Sequence, residues 1–172
     1  MFPRSRITSS LQRAQNLKIA QVQGIYSIEF AQGKNQPFRE RIWFVDAAGS
    51  QLLTGSFDSH DFLIIRRQEM NGGADHFVVV HEWISDPETV RTQVERLVID
   101  PAPNERDYQV VGLAVTQVGT TDIFLSATRP DISYSTKYRG GHLIFEGIYG
   151  HVQLKNNQLS QLQLIGGRHA AI

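Results

Sequence analysis

Apolar residues in this chain come in short runs of four to about ten, alternating or continuous, and nowhere sustain a long helical spacing. The first half carries LKIAQVQGIYSIEF, RERIWFVDA, DFLIIRR, DHFVVVHEWI and TVRTQVERLVI. The second half repeats the pattern with DYQVVGLAVTQV, TTDIFLSAT, GGHLIFEG, YGHVQLKN and QLSQLQLIG. Successive side chains of a strand point to opposite faces, so period-two runs of this length predict strands. The separators AQGKNQP, AAGSQ and MNGGAD are rich in glycine, proline and small polar residues, which suit chain reversals. One segment competes: in DPETVRTQVERL, Asp86 and Pro87 suit a helix start, and Val90, Val94 and Leu97 recur at helical spacing. Val90, Thr92, Val94, Val98 and Ile99 favour extended backbone, so a strand is expected there too.

Alternation is clearest at the end of the chain. Val152 and Leu154 oppose His151, Gln153 and Lys155, and Leu162 and Leu164 oppose Gln161 and Gln163. A half-buried antiparallel hairpin turning at Asn156 and Asn157 is expected. Ten or so such strands bury their apolar faces only when layered, so the expected fold is all-β, a two-layer antiparallel β-sandwich. A length of 172 residues suits one domain. Residues 1–16, with Arg4, Arg6 and Arg13 and no acid before Glu29, read as a basic leader, 17–168 as the sandwich and 169–172 as a terminal tail.

Composition excludes several classes of function. The chain has no cysteine, which removes disulfides, thiol nucleophiles and cysteine-ligated clusters. Seventeen basic residues balance seventeen acidic ones, so a nucleic-acid partner is not expected. No apolar run approaches the length of a membrane span, and the Arg-rich start lacks the apolar stretch of a signal peptide.

Candidate chemistry rests on histidines and tyrosines. His60 and Asp61 (or Asp75), with His81 from another strand, are ligand types that suit zinc, the one metal considered; otherwise no cofactor is expected. The plainer reading is cross-strand hydrogen bonding, because no compact ligand motif is present and His76 and His81, five apart, point to opposite faces of a strand. His81 and Glu82 also point apart. Asp122, Asp131 and Glu146 form no pair of the kind glycoside hydrolysis needs. The glycine pairs in NGG, RGG and IGG read as turns. In and beyond ISYSTKYRGG, Tyr134, Tyr138 and Tyr149 with Lys137 and Arg139 combine aromatic rings with cations, a set that would stack on a sugar and bind carboxylate or sulfate groups, with Lys137, Arg139 and Tyr149 as the substrate-binding candidates. Core packing of the rings and solvation of the cations is the plainer alternative.

HFVVVHEWISDPETVRTQVERLVID, VVGLAVTQVGTTDIFLSA and LIFEGIYGHVQLKNNQLSQLQLIGG together resemble the C-terminal β-domain of heparinase II/III-like polysaccharide lyases. The resemblance covers about residues 57 to 167 and rests on His81 and Glu82, Thr121 and Asp122, Phe145 through Gly150, and Ile165 through Gly167. It implies a parent enzyme that cleaves uronate-containing acidic glycans by metal-independent β-elimination, with an α-helical toroid carrying most of the substrate groove. Location would then be periplasmic or extracellular, and the partners an acidic polysaccharide or the adjoining helical domain. Proton transfer in such a reaction falls to tyrosine or histidine, so His81, Tyr134 and Tyr138 would be the catalytic candidates. The chain is short for both toroid and sandwich, so the expectation is an accessory domain, non-catalytic in isolation. The alternative is a structural or protein-interaction domain with no sugar role.

Overall fold

A computed structural model describes residues 15–31, 39–45, 49–57, 60–66, 78–84, 92–100 and 110–171. Every regular element among them is a strand. The first half supplies β1 (Gln15–Gln21), β2 (Tyr26–Ala31), β3 (Arg39–Phe44), β4 (Gln51–Phe57), β5 (His60–Arg66) and β6 (Val79–Ile84). The second supplies β7 (Gln93–Arg96), β8 (Ile99–Asp100), β9 (Val110–Gln117), β10 (Thr120–Ala127), β11 (Tyr134–Tyr138), β12 (Gly141–Glu146), β13 (Tyr149–Lys155), β14 (Gln158–Ile165) and β15 (His169–Ala171). They form four antiparallel sheets, ordered β1-β4-β5, β2-β3-β6, β14-β13-β10-β9-β7 and β15-β12-β11-β8.

The all-β sandwich expectation holds, but the layering occurs twice. Val22, Ile42, Phe44 and Leu52 form one core between the two three-stranded sheets. A larger core, including Ile123, Tyr134, Leu143, Phe145 and Val152, lies between the five- and four-stranded sheets. Sheets pack face to face because each strand has one apolar side to hide. On β10, Thr121, Ile123, Leu125 and Ala127 are buried while Asp122, Phe124 and Ser126 point the other way. Of the ambiguous segment, Gln93–Arg96 is strand, and 85–91 lies outside the described residues. The expected tail is ordered into β15, where His169 and Ala171 pair with Glu146 and Ile144 of β12. Of the leader expected over 1–16, Gln15 and Asn16 belong to β1, and residues 1–14 lie outside the described residues.

The terminal hairpin turns at Asn156 and Asn157, both at positive φ (51° and 64°), the backbone that matches strand twist in two-residue hairpins. At the opposite end of β13 the chain changes sheets. It passes from β12 to β13 through Gly147 and Ile148, and returns from β14 to β15 through Gly166, Gly167 and Arg168. These two crossings lie against each other: Ile148 N–H donates to the Ile165 carbonyl at 3.2 Å and Arg168 N–H to the Glu146 carbonyl at 3.0 Å. A Cβ at Gly167 would overlap the Glu146 carbonyl oxygen and come within 2.6 Å of the Gly147 Cα. Gly147 and Gly167 thus owe their place to one point of backbone contact.

Candidate functional site

The outward side of the five-stranded sheet is built from alternate residues of three strands. Register sets Phe124 of β10 opposite Leu113 of β9 and His151 of β13, and Ser126 opposite Val111 and Tyr149. Residues Val78–His81, at and beside the start of β6, stand over this face and close a groove of about 640 Å³. Its lining is mainly aliphatic and aromatic, including Val79, Val80, Leu113, Phe124 and Tyr149, with His81 at one side. Such a surface recognises apolar protein side chains or the apolar faces of rings.

The floor is braced from the side, by neighbours on the same face. His151 stacks on Phe124 with ring centroids 4.9 Å apart and planes 11° from parallel. Its Nε2–H donates to Asp122 Oδ1 at 2.9 Å, and Gln153 Nε2 donates to the same oxygen at 3.0 Å. A carboxylate bonded to one imidazole nitrogen fixes the ring's orientation. Here that fixes the Phe124 ring in turn.

The residues singled out from sequence do not come together at one place. His81 and Tyr149 come together at the groove, where exposed His81 bonds through Nδ1 to Glu40 Oε1 at 2.8 Å. Tyr134 and Tyr138 lie in the large core, 1% and 7% exposed. The Tyr134 hydroxyl donates to the Arg129 carbonyl at 3.2 Å, and the Tyr138 hydroxyl lies 3.4 Å from Thr116 Oγ1. Arg139 sits over the Tyr138 ring at 5.2 Å and donates to Asn157 Oδ1 at 3.1 Å. Lys137 projects from the opposite side of β11, exposed, across from His142. Asp61 is exposed on β5, opposite Ser56, in a different sheet from His81. The His60 side chain and Asp75 lie outside the described residues, and no group of three metal-ligating side chains occurs among those described.

Two clusters were not legible from the chain. One is the Asp122–His151 pair, on neighbouring strands 29 residues apart. The other surrounds Glu82, a carboxylate only 5% exposed. Arg41 Nη1 and Trp43 Nε1 donate to its Oε2 at 3.3 and 3.1 Å, and Thr92 Oγ1 and Gln117 Nε2 donate to Oε1, the latter at 3.3 Å. Gln117 also donates to Thr92 at 2.9 Å. Strands β3 and β6 are thereby tied to β9 and to the residue preceding β7. Sequence alternation places Glu82 opposite His81, but its partners arrive from three other parts of the chain.

Thr128, also at the groove, leads into the crossing from β10 to β11. There Arg129 Nε and Nη2 grip both oxygens of Asp131, at 2.8 and 2.6 Å. The Arg129 hydrogen bonds lower the Asp131 pKa from 3.8 to about 2. Because the folded value lies below the unfolded one, the pair's stabilising contribution is complete above the ordinary value and is lost as pH falls through about 2. In Arg129→Gln, a carboxyl titration followed by NMR is expected to show the Asp131 midpoint returning toward 3.8. An unchanged midpoint would remove Arg129 as the cause.

No protein-family profile, curated protein or solved structure matches the chain. Among the described residues no helix is long and apolar enough to cross a membrane.

Proposed function

We propose that this chain is an accessory β-sandwich domain of a polysaccharide lyase acting on uronate-containing acidic glycans, supporting an adjoining helical catalytic domain and not itself performing β-elimination. The observation that carries this reading is the groove between β6 and the five-stranded sheet. A mainly apolar cleft of about 640 Å³ suits the surface of a neighbouring domain better than a charged sugar. The internal bonding of Tyr134 and Tyr138 agrees with it. A proton-transfer hydroxyl must reach its substrate, whereas these two hydroxyls meet the Arg129 carbonyl and Thr116. Acidic-glycan contact, in this reading, belongs to the exposed cations Lys137 and Arg139 and not to the groove.

A second reading, a protein-interaction domain with no sugar role, draws on the same groove, whose described lining includes no lysine or arginine. Incubation of the purified chain with polygalacturonate, alginate or heparin separates the possibilities. The expected result is no growth of the ultraviolet absorbance of unsaturated uronate, together with weak binding that Lys137→Ala and Arg139→Ala abolish. Sustained growth of that absorbance would overturn the accessory role. Failure to bind any of the three glycans would overturn the sugar role in favour of the interaction domain.

A further inference from the structure

Every open sheet leaves two edges whose unpaired N–H and C=O groups can accept another strand, and proteins guard them with charge, proline, bulges or brevity. Six of the eight edges described here are guarded by charge or brevity. β1 carries Lys18, β5 carries Asp61 and Arg66, β2 carries Glu29 and β7 carries Glu95 and Arg96, whereas the one acid of β6, Glu82, is buried. β8 is two residues long with Asp100, and β15 is three residues long. β14 is the most open: eight residues, QLSQLQLI, with no charge and no proline, exposed at every position but Leu164, and interrupted only by a bulge at Ser160.

Its side chains suit a particular partner. On the sandwich side, Val152 of β13 is buried, yet Leu162 directly opposite it is 41% exposed, and Leu159 is 53% exposed. Only Leu164 of this strand packs into the core, so this face of β14 runs past the cover of the four-stranded sheet. A register shift at Gln153 and Leu154 leaves Ser160 unopposed, and the regular stretch is Gln161 to Ile165. We propose that β14 pairs antiparallel with β14 of a second copy about a two-fold axis at Gln163, joining the two five-stranded sheets edge to edge.

That register is self-complementary, as a two-fold interface must be. Gln163 meets Gln163, Leu162 meets Leu164 of the second copy on the sandwich side, and Gln161 meets Ile165 on the other. Nothing in the strand selects an oppositely charged foreign segment, and nothing in it repels its own copy. One strand pair buries less than the roughly 1,200 Å² of a stable complex, so the association is concentration-dependent.

Absence of cysteine from the chain makes the test direct. In sedimentation, the mass is expected to rise with concentration from 19.4 kDa toward twice that value. Gln163→Cys is expected to form a disulfide-linked dimer under mild oxidation, because directly opposed residues of an antiparallel pair come within disulfide reach. Gln163→Lys sets like charges against each other and is expected to abolish the dimer with an unchanged circular dichroism spectrum and, at concentrations where the parent chain is monomeric, an unchanged urea midpoint, since the position is exposed. The proposal is overturned by a chain that stays monomeric at its highest soluble concentration. It is equally overturned by a dimer that survives Gln163→Lys, or by Gln163→Cys that does not cross-link.

Discussion

Glu82→Ala is expected to lose about 3–5 kcal/mol of stability, the scale for breaking a buried ion pair from one side. For a domain whose whole stability is typically about 5–15 kcal/mol, that is a large share. The substitution strands the Arg41 guanidinium, the Trp43 indole N–H, the Thr92 hydroxyl and the Gln117 amide, all of which converge on the two carboxylate oxygens. Glu82→Gln shows why charge alone is not the issue. Its single oxygen can serve one pair of donors, and its NH2 must then face the other pair, so a loss of about 1–3 kcal/mol is expected. Urea unfolding followed through Trp43 and Trp83 fluorescence measures both. A Glu82→Ala midpoint equal to that of the parent chain would show that the network does not hold the halves together.

Phe145→Ala is expected to cost about 3–5 kcal/mol, the sum of lost transfer energy and the cavity left behind. Phe145 is 1% exposed and packs beside Tyr134, with ring centroids 6.3 Å apart. The same ring explains a glycine. A Cβ on Gly150 would come within 3.0 Å of the Phe145 Cδ2 and Cε2 atoms, so Gly150→Ala is expected to destabilise by about 1–3 kcal/mol through overpacking. Phe145→Leu gives that Cβ room. The double variant is therefore expected to be more stable than the sum of the single changes allows, by at least about 0.5 kcal/mol in a double-mutant cycle. Strict additivity would mean that the glycine is required for some reason other than the ring.

Particular residues show where local reading stops. Tyr134, Thr136 and Tyr138 alternate with Ser135 and Lys137, so their division between two faces of β11 follows from strand geometry alone. Which face turns inward does not, because both are defined only relative to a second sheet. Packing buried the tyrosine face, and with it two residues whose type alone made them candidates for proton transfer. For His81 and Glu82 the opposite orientations were legible, while the burial of Glu82 depended on Thr92 and Gln117 reaching it from the other half. The Asp122–His151 pair needed the register of β10 against β13. That register is set by the hairpins and by which apolar faces are covered.

By itself the sequence determined the all-β class and most of the strands, because period-two alternation and the backbone tolerance of glycine and asparagine are properties of a few adjacent residues; β4, β11 and β15 were not among the runs it marked as strands. The glycine spacing of the sheet crossings was equally visible, though not its cause. Only the tertiary structure decided that there are two cores, that the His81 and Tyr149 candidates share a groove while Tyr134 and Tyr138 do not reach it, and that β14 is left as the most open edge. Each of these depends on which distant strands meet and in what register, a choice made by the total apolar surface buried and not by any local preference.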